Sequence, residues 1–148
     1  MTIFTEKEAV TAISFFKEEN CHTENAPKDP LALFVKKELE GYFQKTVMEF
    51  SFPMNPQGSA FQKKVWDALL EIPFGETVSY LEFTKRIADE KAIRAVASSI
   101  GKNPIMIAIP CHRVIGSDGS LTGYAGGLDA KKALLELEGR PTQKTLPL

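Results

Sequence analysis

The feature that most constrains this chain is a five-residue apolar run, Ile105 to Ile109, set between Asn103-Pro104 and Pro110. Such a run has no polar face to turn to water, so it must be buried. It then delivers a thiol, Cys111, and a histidine, His112, straight from the core. The rest of the composition supports a core of that kind. The chain has 148 residues, 43% of them hydrophobic and 25% charged. That suits one folded domain, or one domain with a small appendage, needing neither disulfides nor metal.

Several classes are excluded early. The two cysteines, Cys21 and Cys111, make no CxxC pair, and Cys21-His22 lacks two further soft ligands. A disulfide framework is ruled out and no metal site is expected. The start, MTIFTEKEAV, has acids where a secretion signal carries basic residues. The uncharged stretch Phe50 to Gln62 is too short to span a bilayer. The expectation is a cytoplasmic protein with no membrane contact.

Pattern places the elements. Ala9 to Phe16 reads equally as strand or helix. Asn20 to Lys28 reads as a loop. Asp29-Pro30 starts a helix carrying Leu31, Phe34, Val35, Leu39 and Tyr42. Thr46 to Phe52 alternates, with Met48, Phe50 and Phe52 on one face, which predicts a strand. Pro53 to Gly58 is linker-like and suggests a boundary between residues 1–54 and 55–148. Ser59 caps a helix with Phe61, Val65 and Leu69 in register and Trp66 and Leu70 beside them, and Pro73-Phe74-Gly75 breaks it. Ser79 and Glu82 form a capping box, Ala88-Asp89-Glu90 a tight turn, and Ile93, Val96 and Ile100 one face of a further helix. Two short helices joined in this way have the outline of a helix-turn-helix. Leu128 to Glu138 forms the last helix, stopped by Gly139.

The net charge of -1 conceals an asymmetry. Residues 1–60 carry six basic and nine acidic groups, and residues 61–148 carry twelve and ten. Lys91, Arg94, Lys102 and Arg113 form an acid-free stretch over 91–113, which reads as a positive stripe on the helix-turn-helix.

The chemistry centres on Cys111-His112-Arg113. A cysteine attacks as the thiolate, so it needs a base or positive charge nearby, and His112 and Arg113 are the adjacent candidates. A bare Cys-His pair is more often structural, and in a regular strand the two side chains point to opposite faces. Glu138 lies four residues after Leu134 on the same helical face. It either receives the His112 N–H within the core or reaches solvent from the end of its helix.

The pentapeptide Pro110-Cys111-His112-Arg113-Val114 resembles the active-site signature of the O6-alkylguanine-DNA alkyltransferases, or methylated-DNA–protein-cysteine methyltransferases. The resemblance extends in order through Phe61–Trp66, Ile72–Tyr80, Arg94-Ala95-Val96, Lys102-Asn103-Pro104, Gly123–Leu128 and Leu135–Gly139, covering roughly residues 55–140. It implies an α+β protein: a shortened N-terminal α/β region, RNase H-like in the family, and a mainly helical, winged-helix-like C-terminal domain. It implies direct-reversal DNA repair. Cys111 would accept the alkyl group of O6-methylguanine, and the resemblance extends this to O4-methylthymine. The resulting thioether would limit each molecule to one turnover, without cofactor or metal.

The resemblance also implies roles. His112 would take the thiol proton through a water, Glu138 would orient His112, and Asn103 would hold the turn before the active-site strand. Tyr80 would crowd the target nucleotide's phosphate and assist the leaving guanine. Arg94 would enter the stack of double-stranded DNA from the minor groove as the base flips out. The carbonyls of Cys111 and Val114 would accept from the guanine amine. Tyr124, Ala125 and Gly126 would line the base pocket, and Arg113 would contact DNA. The chain would act as a monomer. An alternative is a non-catalytic alkyltransferase-like lesion binder, which Cys111 argues against because that group commonly has tryptophan there. Ala88 and Glu90 stand where the family commonly has glycine and proline, Ala97 where it has glycine, and Ala125 where it has serine.

Overall fold

The computed structural model describes residues 1–15, 29–121 and 123–139; the expected loop at Asn20 to Lys28, Cys21 and His22 lie outside them. The ambiguous N-terminal segment is a strand. β1 (Thr2–Glu6) and β2 (Ala9–Ser14) form an antiparallel hairpin. Its two-residue turn, Lys7-Glu8, has positive φ at both positions (50° and 65°), the backbone a tight right-twisted hairpin requires. The register slips between Phe4 and Thr5, where β2 carries one extra residue. Val10 and Ile13 are both fully buried.

β2 joins the two halves of the chain through its other edge. Val10 exchanges backbone hydrogen bonds with Pro53 and Asn55, at 2.9 and 2.8 Å. Ile13 does the same with Pro104 and Met106, at 2.9 and 3.1 Å. Linker and apolar run thus hang from one strand.

That arrangement explains a failed expectation. Thr46 to Phe52 is not a strand. The β2 edge is already taken, and the segment's own groups bond to α1 (Pro30–Phe43). The amides of Thr46 and Val47 donate to the Gly41 carbonyl, and Ser51 N and Oγ donate to Glu38. Phe52 is buried and Phe50 half-buried, but Met48 is exposed, so the alternation does not mark one face.

α1 begins as read from Asp29-Pro30. Asp29 Oδ1 accepts from Leu31 N, and Oδ2 accepts from Thr5 Oγ1, which ties the helix to β1. It buries Val35, Leu39 and Tyr42 and leaves Phe34 exposed. α2 (Ala60–Leu69) has a complete capping box between Ser59 and Gln62. It buries Val65, Trp66 and Leu69, while Phe61 and Leu70 face solvent.

The helix-turn-helix is present. α3 (Tyr80–Ile87) starts at Ser79, whose hydroxyl accepts from Glu82 N at 3.0 Å. A 3₁₀ turn at Glu90–Ala92, capped by Asp89, leads into α4 (Ile93–Gly101). Trp66 Nε1 donates to the Ser99 carbonyl at 2.8 Å and fixes α4 against α2.

Ile105 to Ile109 is buried throughout, as its composition demands. It is not a strand, however, but a knot of turns: Ile109 N bonds Ile105 O, and Ala108 N bonds Met106 O. Ile107 sits at φ 70°, a left-handed conformation that costs a β-branched residue roughly 1–3 kcal/mol and persists only where packing enforces it. Cys111–Arg113 follows as a 3₁₀ turn. β3 (Val78–Ser79) and β4 (Val114–Ile115) then pair in parallel, placing the start of α3 beside this turn. α5 (Leu128–Leu137) closes the fold. The fold class is a mixture of helices and small sheets, with a mainly helical C-terminal part.

Candidate active site

Asn103 shapes the presentation of the thiol. Its Oδ1 accepts from Ile105 N at 3.0 Å, and its Nδ2 donates to Ile109 O at 2.8 Å and to Cys111 Sγ at 3.2 Å. One amide thus straps both ends of the apolar run and touches the sulfur. The backbone bend at the 3₁₀ turn removes the strand geometry that would set Cys111 and His112 on opposite faces.

The His112 ring is fully buried, with Nε2 2.7 Å from Glu138 Oε2. Burial lowers the imidazole's affinity for a proton, against the opposing pull of Glu138, so His112 is neutral near pH 7. Burial alone would raise the Glu138 pKa, but donation from His112, Arg113 and Tyr42 holds it at about 2. An ionised carboxylate only accepts, which assigns the His112 proton to Nε2 and leaves Nδ1 as the basic atom. Among the described residues, His112 Nδ1 and Tyr124 Oη are the buried side-chain atoms that lack a hydrogen-bond partner. An oriented imidazole with its second nitrogen unpartnered, adjoining a thiol in the same 3₁₀ turn, is the arrangement a water-relayed general base requires.

Arg113 overturns its expected role. It does not belong to a DNA-facing stripe but is buried. Its Nε and Nη2 bond the two Glu138 oxygens at 2.9 and 3.1 Å, and its Nη1 donates to the Ile72 carbonyl at 2.6 Å. Its guanidinium lies 5.8 Å from the Phe74 ring centre. The cause is physical: Glu138 is an anion in the core and needs a fixed cation as partner.

Above the thiol lies a cavity of about 570 Å³, lined by Tyr80, Ile93, Arg94, Ala97, Cys111, Tyr124 and Ala125 among others. Such a volume holds a small organic ligand, for which pockets are roughly 300–1,000 Å³. The structure therefore gathers Tyr80, Arg94, Tyr124 and Ala125 around Cys111, with Asn103, His112 and Glu138 underneath. Val114 is buried in β4, outside the cavity lining. Gly126 lines a smaller adjoining cavity of about 210 Å³, where Phe15 and Tyr124 leave no room for a side chain.

Sequence reasoning missed two residues. Lys131 is fully buried, with Nζ 5.7 Å from the Tyr80 ring centre and 3.4 Å from the Gly123 carbonyl. Burial pulls its pKa down to about 8, opposed by attraction to Cys111. Burial pushes the Cys111 thiol above its ordinary value, while the Asn103 donor and the Lys131 charge pull it down. Lys131 was detectable by the argument applied to Glu138, for it shares the stripe of Leu134, Leu135 and Glu138 on α5. The second is Tyr42, whose hydroxyl donates to Glu138 Oε2 at 2.5 Å. On α1 it reads simply as an apolar-face aromatic, and nothing in the sequence separates it from one.

Fold and site together define a helix-turn-helix protein built around a buried Cys–His–Glu array. A family model described as the 6-O-methylguanine DNA methyltransferase, DNA binding domain, matches residues 60–140, so the chain belongs to that family. It is 44% identical to the methylated-DNA–protein-cysteine methyltransferase of Haemophilus influenzae, covering 99% of this chain and 87% of that one. It is 55% identical to the protein of the same name from Methanosarcina mazei, over 70% of this chain and 66% of the relative. Its fold is similar to the crystal structure of Mycobacterium tuberculosis OGT in complex with DNA, with a TM-score of 0.80 and 39% identity, covering 92% of this chain and 84% of that one.

Proposed function

We propose that this chain is a methylated-DNA–protein-cysteine methyltransferase that repairs DNA by direct alkyl transfer to Cys111. The observation that carries this reading is the thiol at the base of the cavity, beside an imidazole whose basic nitrogen is bare and whose other nitrogen is anchored on an ionised carboxylate. Burial raises the thiol's pKa, and Asn103 on the sulfur and Lys131 nearby offset part of that rise. Presence of the thiol, rather than tryptophan, sets the chain apart from non-catalytic lesion binders.

The substrate is O6-alkylguanine, chiefly O6-methylguanine, in double-stranded DNA; O4-methylthymine is a secondary candidate. Arg94, exposed at the cavity mouth, enters the stack from the minor-groove side as the base swings out, and Tyr80 crowds its phosphate. The Cys111 proton passes through a bridging water to His112 Nδ1. The sulfur displaces the O6 atom from the alkyl carbon: an S–C bond forms, the C–O bond breaks, and guanine leaves with the electron pair. A hydrogen bond from Tyr80 steadies that negative charge until guanine regains a proton. Tyr124 and the Ala125 amide face the base, and the Cys111 carbonyl accepts from its exocyclic amine. The thioether resists hydrolysis, so each molecule acts once, as a monomer and without cofactor.

In this proposal residues 1–54 form a shortened α/β region related to RNase H, and 55–148 a winged-helix-like alkyltransferase domain. The protein works in the cytoplasm, where reducing conditions keep Cys111 as a thiol. The decisive experiment is mass spectrometry of the peptide containing Cys111 after incubation with O6-methylguanine duplex. One added methyl per protein molecule is expected. Absence of that mass, or transfer that persists in Cys111→Ser, overturns the reading.

A further inference from the structure

The Glu138 carboxylate receives more donors than orienting one histidine requires. Its Oε2 accepts from His112 Nε2 at 2.7 Å, Arg113 Nη2 at 3.1 Å and Tyr42 Oη at 2.5 Å. Its Oε1 accepts from Arg113 Nε at 2.9 Å and from the Gly75 amide at 3.3 Å. All but one of these donors come from the C-terminal half. Tyr42 comes from α1, 96 residues away along the chain. Its side chain is fully buried and wedged by ring contacts against Phe50 and Phe74.

We propose that Tyr42 is a positioning residue for the alkyl transfer, acting through Glu138 on the basicity and orientation of His112. This rests on the Cys111–His112–Glu138 reading above. The phenol shares the oxygen that holds His112 Nε2–H. An O–H donor there draws electron density from the carboxylate and weakens its support of an imidazolium. It also pins the carboxylate against rotation, and hence the imidazole. Burial and the adjacent carboxylate keep the phenol protonated, so it acts as donor at every working pH. The other charged or titratable groups at this point are Arg113 and His112 on the 3₁₀ turn, Lys131 on α5, Cys111, and Tyr124, whose ring lies 6.5 Å from that of His112. Arg113 and Lys131 both oppose protonation of His112. α1 is in this way part of the site rather than a support behind it.

The test is the pH dependence of single-turnover methyl transfer in the full chain. Tyr42→Phe keeps the ring and loses only the donor. Its plateau rate should fall by about three- to tenfold, and its acid limb should move up by roughly half a pH unit as His112 gains basicity. Site-specific 3-fluorotyrosine at position 42 is a stronger donor of nearly the same shape. It should move the limb down. DNA affinity should not change in either variant. A merely structural tyrosine would alter melting temperature and leave the limb in place in both, and that outcome overturns the proposal. So does a shift of both variants in the same direction. Glu138→Gln separates the two levels of inference. If it too leaves the limb in place, the relay itself is wrong; if it moves the limb while the Tyr42 variants do not, only the role of Tyr42 falls.

Discussion

Replacing Arg113 by methionine separates two roles that the sequence alone confuses. As a DNA contact, Arg113 would be dispensable for folding. As the structure has it, removing the guanidinium strips two hydrogen bonds from Glu138 and leaves both a buried carboxylate and the Ile72 carbonyl short of donors. Breaking a buried pair from one side costs about 3–5 kcal/mol. At about 2–4 °C per kcal/mol for a chain of this size, the melting temperature should drop by roughly 6–20 °C. The loss should depend on pH. The Glu138 pKa is depressed in the folded state, to about 2, so its contribution is present above the unfolded value and is lost as pH falls toward 2. The gap between wild type and variant should therefore narrow between about pH 4.5 and 2. DNA binding supplies the other half of the assay. A lost phosphate contact lowers the slope of log K against log salt by about 0.9. Arg113→Met should leave that slope unchanged, measured below its melting temperature. A stability loss under about 1 kcal/mol together with a reduced slope would refute the argument.

Two further predictions follow from the same geometry. Lys131→Met removes a buried ammonium whose desolvation costs the fold stability near neutral pH, and also the cation that favours the Cys111 thiolate. The variant should melt higher than wild type yet alkylate more slowly, with the thiol titrating at higher pH; iodoacetamide labelling against pH and a thermal melt read both, and a faster or unchanged reaction rules the role out. Arg94→Ala should slow methyl transfer from duplex DNA by at least tenfold while changing the reaction with free O6-benzylguanine little. Equal losses on the two substrates would exclude a role in base extrusion.

The legible parts of the fold were those written in local chemistry. Ser59 with Gln62, Asp29 with Pro30 and Ser79 with Glu82 mark helix starts because their side chains bond neighbouring amides, and all three act as caps. Thr46 to Phe52 misled because alternation reports suitability for a strand, not the availability of a partner edge. The β2 edge went instead to Pro53–Asn55 and Pro104–Met106, a decision made by distant residues. At the site, Glu138 could be singled out as a carboxylate on an apolar stripe. Its cation could not, since Arg113 adjoins His112 in sequence and looks as exposed as Arg94. Only the fold tells the two arginines apart. Tyr42 was hidden for the same reason: a phenol's partner cannot be read from an aromatic's position on a helix.

α5 carries Lys131 and is capped at its end by Glu138, and it is the last described element of the chain. Glu138 is made 27 residues after Cys111. At synthesis rates of about 5–20 residues per second, that separation is roughly 1–5 s. Until α5 docks, His112 has no carboxylate to fix its tautomer and the thiol has no ammonium beside it. During that interval Cys111 has neither an oriented base nor an enclosing cavity. For a nucleophile that can be used only once, such an order of assembly has value: the sulfur gains its reactivity when the cavity that selects its target is complete.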